Sequence, residues 1–502
     1  MDGLFSGRNI SKYLLIDKAC IMKRLGIVVG LFLLSFMVNA QYADDALRFS
    51  QVYYQGTARS MALAGSMGAI GADFLSASTN PAGMGLYRRG VYSITPEVST
   101  TKASSLYNGD LSEDSRSIFD LSNMGYVIVK PLSKNGWKFI QFGFGMNRLN
   151  NYNSSVNMQG KNTLDSKLDV YRDLANGVYY DDIEGNDPYE LYPAWYLYLI
   201  DTIPGTVDQY TSPINFGGVL QQQNIKSKGS TNEWLFTLSG NYNDKLYIGA
   251  TIGLPYTRYF RESYYSEFDI ADTIPYFTDW SVTENLTTTG WGINLKLGMI
   301  FKPTEWLRLG GAFHTPTYYW SMSDTWYTNT TADLVGVDSY ESILGTFDYD
   351  MTTPLRAIGS AGFIFGQNAF VTLDYEYTDY SKSKFSSRGY GYNEVNSDIS
   401  SVFKQTHNFR GGIEYRYSNL SFRGGYALYG SPYANNINDG KRQSFSGGIG
   451  YRNNDLALDF AYVYSSKNED YYLYTSDNYQ TNPVSNEYRS QQFMVSLRYF
   501  VK

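Results

Sequence analysis

The chain has 502 residues, a formal charge of −7 at pH 7, 17% aromatic side chains, 48 tyrosines, 47 glycines and only 14 prolines, which excludes a disordered chain, poor in aromatics, and a helical membrane protein, built on apolar runs of about 20 residues. Two histidines, one cysteine and the negative charge speak against a Cys or His metal site, a disulfide framework and nucleic-acid binding. What remains is an all-β protein rich in Tyr and Gly, a class whose barrels run long as single units.

In chain order the first segment is an address. Lys23 and Arg24 precede the apolar stretch Leu25 to Val38, which closes on Val38-Asn39-Ala40 before Gln41, so residues 1–40 read as a secretory signal peptide and Gln41 as the first mature residue. Met22 stands directly before Lys23, and residues 1–21 read as an upstream extension. Cys20 lies before the apolar stretch and is therefore no lipoprotein anchor. Without residues 1–40 the chain keeps 36 basic and 46 acidic residues, a formal charge of −10, and no cysteine.

Residues 41–87 lack strand alternation. They are rich in small side chains, from Ala58, Ser60 and Ala62 through Gly65, Gly68 and Gly71 to Ala77, Ser78 and Asn80-Pro81-Ala82-Gly83. Small side chains allow close backbone packing, and an Asn-Pro step favours an extended or turn conformation. This segment reads as an N-terminal plug.

From about residue 88 the apolar residues alternate. Trp291, Ile293, Leu295, Leu297, Met299 and Phe301 share one strand face, and Leu456, Leu458, Phe460, Tyr462 and Tyr464 share another, with Asp455 and Asp459 opposite. The runs are about ten residues long, enough for a tilted strand to cross a membrane. Fourteen strands are predicted, at 88–100, 115–131, 136–150, 231–242, 245–262, 287–302, 305–320, 346–366, 368–381, 404–417, 419–430, 441–453, 454–467 and 486–500. Joints after even strands are tight turns such as Lys134-Asn135-Gly136 and Asn243-Asp244. Joints after odd strands are longer, up to the loop 151–230. Short turns on one rim and long loops on the other are the layout of an outer-membrane barrel with both termini in the periplasm.

Arg356, Asp374, Glu376, Arg410, Glu414, Arg416, Arg423, Asp459 and Arg498 lie opposite the apolar faces. An arginine in the hydrocarbon midplane costs about 2–4 kcal/mol, so these residues are expected in the lumen, pairing charges across neighbouring strands. Within the long loop, Leu164, Leu168, Tyr171 and Leu174 keep helical spacing, and Ala194-Trp195-Tyr196-Leu197-Tyr198-Leu199-Ile200 is the most apolar run outside the leader. That run either folds over the barrel mouth or binds an apolar ligand. Gly143 and Gly145 interrupt strand 3, where glycine often marks a bulge or a close approach. A lumen of about fourteen strands stays open unless something fills it, and residues 41–87 are the available filler.

The small-residue segment containing Asp73, followed by Asn80-Pro81-Ala82-Gly83 and a long barrel, resembles the FadL/TodX family of outer-membrane transporters for long-chain fatty acids and other hydrophobic compounds. Gly311-Ala312-Phe313-His314-Thr315-Pro316-Thr317 and Thr353-Pro354-Leu355-Arg356 look like further matches, and the resemblance covers nearly all of residues 41 to 500. The tyrosine content and loop style look like the Bacteroidetes branch. The resemblance implies a 14-stranded barrel (88–502) closed by a hatch (41–87) that carries Asn80, Pro81, Ala82 and Gly83. It further implies passive, hatch-gated uptake and a capture site at the mouth, for which Trp195, Leu197, Leu199 and Ile200 are candidates. Arg356 is a candidate anchor for a ligand carboxylate. A kink in the third strand would open the wall laterally, with Gly143 and Gly145 as candidates.

The expected partners are a hydrophobic small molecule and the lipids of the outer membrane, bound by a monomer without cofactor or metal and without nucleic acid. The alternatives are a hemin or other ligand receptor on the same barrel, with His314 or a tyrosine as axial ligand, and a structural barrel. Catalysis lacks support, since neither His314 nor His407 has an assignable Ser or Asp partner.

Overall fold

The computed structural model describes residues 35–501 except 215, 216, 335, 436, 476, 477, 480 and 481, with side chains from Ala43 onward apart from 133 and 134. Most of the expected leader, with Cys20 and Met22, lies outside the described residues. Its last part belongs to helix α1 (Ser35–Ser50), which runs through the expected cleavage junction.

Fourteen antiparallel strands close into one barrel. They are β1 (Gly90–Tyr107), β2 (Asp110–Lys134), β3 (Trp137–Asn151, continued by Ser154–Asn162), β4 (Val219–Tyr242), β5 (Leu246–Phe268), β6 (Asp279–Phe301) and β7 (Leu307–His314, continued by Tyr318–Asp333). The circuit goes on through β8 (Gly345–Thr352, continued by Arg356–Phe365), β9 (Ala369–Asp379), β10 (Gln405–Tyr417), β11 (Leu420–Tyr429), β12 (Arg442–Arg452), β13 (Leu456–Tyr471) and β14 (Val484–Val501). β14 pairs back onto β1 from Gly90↔Val501 to Leu106↔Ser485, so the sheet has no outer edge strand. No described helix is long and apolar enough to cross a membrane. The apolar belt lies on the strands, where Ile94, Phe142, Leu238, Ile252, Leu295, Leu373, Phe409, Phe445, Phe460 and Leu497 all face outward.

The strand count agrees with the sequence reading, but several strands are longer than expected. β1 and β2 run on to a two-residue turn, Asn108-Gly109, with both φ angles positive (49° and 96°), the geometry of a hairpin turn that suits Asn-Gly. The long loop expected there does not exist. Residues 101–117 are mostly polar, with only Ala103, Leu106, Tyr107 and Leu111 apolar, which hides strand alternation from a hydropathy reading and fits a hairpin standing above the apolar belt. β4 likewise begins at Val219 rather than 231, and β3 continues to Asn162. The C-terminal strand ends on the short-turn rim. Helix α1, by contrast, lies inside the barrel towards the long loops, its buried face among Tyr152, Tyr259 and Tyr319.

Candidate functional site: a plugged lumen with a side seam

The hatch fills the lower lumen. Thr57 caps the short helix α2 (Ala58–Met61), its hydroxyl accepting from Ser60 N and donating to Asp73 Oδ2 at 2.6 Å. Asp73 in turn accepts from Leu75 N, at the start of helix α3 (Ser76–Thr79). Asn80 then ties the motif to the wall. Its Oδ1 accepts from Ala82 N, and its Nδ2 donates to the carbonyls of Gly68 (2.7 Å) and Met299 on β6 (3.2 Å). Ser239 on β4 donates to the Pro81 carbonyl, and Ala72 N donates to the Gly83 carbonyl. Asn80, Pro81, Ala82 and Gly83 thus join the small-residue loop of the hatch to the inside of the barrel.

Eight of the nine charges expected in the lumen are ion-paired, mostly between neighbouring strands, while Asp374 instead accepts from Gly68 N of the hatch. Arg356 and Arg410 flank Glu376 at 3.0 and 3.1 Å, Arg423 bridges Glu414 and Asp459 at 2.6 and 2.7 Å, and Arg498 joins Asp459 at 2.6 Å. Arg416, at the short-turn rim, also meets Glu414. The hatch enters this ladder through Arg59, which pairs with Glu414 and donates to the Ala72 carbonyl. A second pair, Glu233 with Lys296, lies beside Ser78 of α3. These charges anchor the hatch as well as stiffening the wall.

Above the hatch is an aromatic chamber, and the chain occupies it itself. Ala43, Ala46, Leu47 and Phe49 of α1 are buried among Tyr152, Tyr259, Tyr319, Met322, Tyr349, Met351 and Phe403. Phe49 meets Tyr152 and Tyr259 edge to face at 6.1 and 6.2 Å. Arg356 holds the end of the helix by donating to the Ser50 carbonyl, while its other arm is committed to Glu376. Both arms being engaged, Arg356 is a clasp on α1 in this state rather than a free carboxylate anchor. The cavity left between α1, the hatch, Lys296, His314 and Arg356 is about 30 Å³, room for a water or two.

His314 is buried, with Nε2 donating to the carbonyl of Thr79 in α3 at 2.8 Å. It fastens the hatch and presents no open position to a hemin iron. His407 faces outward and meets the Tyr375 hydroxyl through Nδ1.

The wall is incomplete at one place. β2 pairs with β3 from Lys134↔Trp137 up to Asn123↔Asn147; above that point β2 pairs only with β1, and β3 only with β4. Where the strands part, the hatch substitutes for β2, since Tyr53 N and Gln55 N donate to the carbonyls of Leu149 and Arg148 at 2.8 and 3.0 Å. Arg148 sits in the fork. It reaches Glu97 on β1 at 2.6 Å and Asp120 on β2 at 2.5 Å, and it donates to the Leu121 carbonyl at 2.8 Å. Phe119, on the unpaired edge, is 77% exposed on the outer face.

This seam lies above Gly143 and Gly145, the candidates named for a lateral opening. Both glycines stand in unbroken ladders to β2 and β4. Their missing side chains make room for the hatch, because a Cβ at Gly145 would lie 2.6 Å from the Phe74 ring and one at Gly143 would lie 2.7 Å from Met84. The strand breaks instead at Tyr152-Asn153, after a register shift between Arg148 and Asn150. The signal for it is the asparagine run Asn147 to Asn153, which interrupts apolar alternation.

A cap closes the upper mouth. Helix α4 (Lys167–Ala175) starts at a capping box of Ser166 and Asp169, which leaves Leu164 exposed outside it. Glu267 on β5, fully buried, receives Ser166 Oγ, Lys167 N, Gln221 Nε2, the Tyr265 hydroxyl and Trp280 Nε1. Helix α5 (Leu191–Tyr196) packs with α4 over Trp280 and Val282. Leu197, Leu199 and Ile200 are buried in that core, and Trp195 is half-buried against it. The apolar run therefore builds the cap and, in this arrangement, offers no capture surface through those three residues.

No protein-family model matches the chain, and no curated protein sequence does. Among solved structures it is similar to a Pseudomonas aeruginosa FadL homologue, with 14% identity, a TM-score of 0.56 and coverage of 89% of this chain and 99% of that one. It is also similar to the Ralstonia pickettii toluene transporter TbuX (13% identity, TM-score 0.52, 90% and 99% covered) and to the P. putida toluene transporter TodX (13%, 0.52, 89% and 99%). The similarity is one of fold and runs over almost the whole of each chain.

Proposed function

We propose, starting from the barrel fold shared with the FadL homologue, TbuX and TodX, that this chain carries hydrophobic small molecules through the outer membrane by hatch-gated, passive diffusion. The observation that supports this most is the seam, where the hatch backbone and not β2 bonds β3 at Arg148 and Leu149. A passenger enters from the cap side, displaces the apolar face of α1 from the tyrosine-lined chamber, and leaves sideways between β2 and β3 when residues 53–55 release the strand. Water is absent from the hydrocarbon on that path, so an apolar passenger never has to re-enter water. The preferred passenger is an elongated amphiphile such as a long-chain fatty acid. Each buried CH₂ contributes about 0.8 kcal/mol, so a long chain competes with α1 for the chamber where a short one does not.

The test is transfer of a fluorescent long-chain fatty acid into proteoliposomes. Transfer is expected to rise with the protein present, to rise further when residues 41–50 are deleted, and to fall with shorter chains. Transfer equal to that of empty vesicles for fatty acids and for toluene alike would contradict the proposal.

A further inference from the structure

The outer surface of the cap carries a layer of rings. Tyr179 lies on Tyr180 at 4.6 Å between centroids, and Tyr180 stacks on Trp195 at an interplanar angle of 15°. Trp195 adjoins Tyr192, and Tyr192 and Tyr196 both meet Tyr340, from the loop between β7 and β8, at 5.4 and 4.9 Å. Tyr198 stands beside this layer in sequence, 68% exposed, with a φ of +59° that a bulky residue adopts only when its surroundings enforce it. The surroundings do so here, because Leu197 and Leu199 on either side are sunk in the cap core. Ile203, Val207 and Val337 are exposed as well.

The charge on this surface has one sign. Residues 176–210 hold seven Asp and Glu and no Lys or Arg. Among the described residues only Glu190 of these has a basic partner, Lys167. Asp338 and Glu341 add two more exposed carboxylates beside Tyr340.

We propose that this face docks a partner protein through a basic, arginine-bearing strip. The rings pack directly on one another and turn outer faces, not a central recess, to the solvent, which suits a macromolecular surface better than a small molecule. Guanidinium groups stack on tyrosine and tryptophan and pair with carboxylates at the same time, and Tyr, Trp and Arg dominate interface energetics. A second copy meeting it through the same face would bring the same negative charge and be repelled. A fatty-acid passenger would be repelled by the carboxylates, and an uncharged one gains nothing from them.

The experiment uses the folded, detergent-solubilised protein and three labelled twelve-residue peptides that alternate glycine with Arg, Lys or Glu, read by fluorescence anisotropy. The Arg peptide is expected to bind at least threefold more tightly than the Lys peptide, and the Glu peptide not at all. Tyr196→Ser with Tyr198→Ser, and separately Tyr179→Ser, should weaken the Arg peptide about tenfold and bring it to the Lys level. Asp181→Asn, Asp182→Asn and Glu184→Gln together should weaken both and flatten the salt dependence. Heat-modifiability on gels checks that each variant still folds. Equal binding of Arg and Lys peptides, untouched by the tyrosine variants, would reduce the face to plain acidity and overturn the proposal. So would no binding of the Arg peptide, or binding of a neutral oligosaccharide that the tyrosine variants abolish while the Arg peptide is unaffected.

Discussion

The backbone N–H of Gln55 donates to the carbonyl of Arg148 at 3.0 Å, at a height where β2 has already left β3. A hatch residue therefore completes the hydrogen bonding of the barrel wall. Under the proposed gating, movement of the hatch and opening of the wall are one event, and several consequences can be measured.

Arg148 and Glu97 are 1% and 0% exposed and pair at 2.6 Å in the fork of the seam. Arg148→Ala leaves the Glu97 carboxylate buried without its partner, which costs about 3–5 kcal/mol. The barrel should lose its folded gel mobility at a clearly lower temperature, and Arg148→Met with Glu97→Gln should recover most of the loss. A single variant as heat-resistant as the parent contradicts this account of the fork.

Gly145→Val places side-chain atoms where the Phe74 ring and the Met124 carbonyl already are. The clash falls on both the hatch and the β2 ladder just below the seam, either of which unseals the lumen by giving way, so single-channel conductance in planar bilayers should rise. Gly311→Val, where a side chain meets open space on the lipid side, should leave conductance unchanged. Equal conductance of the two variants would remove Phe74 from the seal.

Glu267 collects five donors that hold the cap together. Glu267→Ala strands those buried groups, at a cost of about 1–3 kcal/mol for each group left unsatisfied. Hydrogen exchange across residues 164–200 should speed up by at least tenfold while β9 to β12 keep their protection. Unchanged exchange in the cap would mean that its apolar core alone fixes it.

The cap should also respond to pH. Burial lifts the carboxyl of Asp169 from 3.8 to about 6 against the pull of Arg172, and burial lifts Glu190 from 4.5 to about 7 against Lys167. Folded values above the unfolded ones mean that the folded cap favours the protonated carboxyls. Their contribution is full below about pH 4 and is lost as pH rises through 6 and 7. Exchange in residues 164–200, corrected for the intrinsic pH dependence, should be more protected at pH 5 than at pH 8. Level or increasing protection with pH would contradict that sign.

Much of the barrel was legible because lipid outside and charge inside impose alternation. Arg356, Glu376, Arg410 and Asp459 could be assigned to the lumen from parity alone. The β1–β2 hairpin was not legible, since above the apolar belt its outer face is mostly polar and its inner face meets the cap through Ala103, Ser105 and Tyr107 rather than through a run of large apolar side chains. The place of Leu197, Leu199 and Ile200 in the cap core was not legible for a different reason: an apolar run looks the same whether it forms a core or waits for a ligand. Gly143 and Gly145 were singled out as interruptions of a strand; β2 leaves β3 just beyond them, where the asparagine-rich stretch 147–153 is a local signal but the partners of Arg148, Glu97 and Asp120, lie far away in sequence. The filling of the chamber by Phe49 is likewise a tertiary fact, invisible in the short helix that carries it.

The central claim, that passengers leave through a seam held shut by the hatch, is tested most directly by locking it. Gln55 and Arg148 face each other in an antiparallel bridge, a separation that suits a disulfide. In proteoliposomes carrying Gln55→Cys with Arg148→Cys, transfer of a fluorescent long-chain fatty acid is predicted to fall at least tenfold on oxidation and to return on reduction in the same sample. Transfer that is equal in the oxidised and reduced protein, with the cross-link verified by mass spectrometry, would contradict release through this seam.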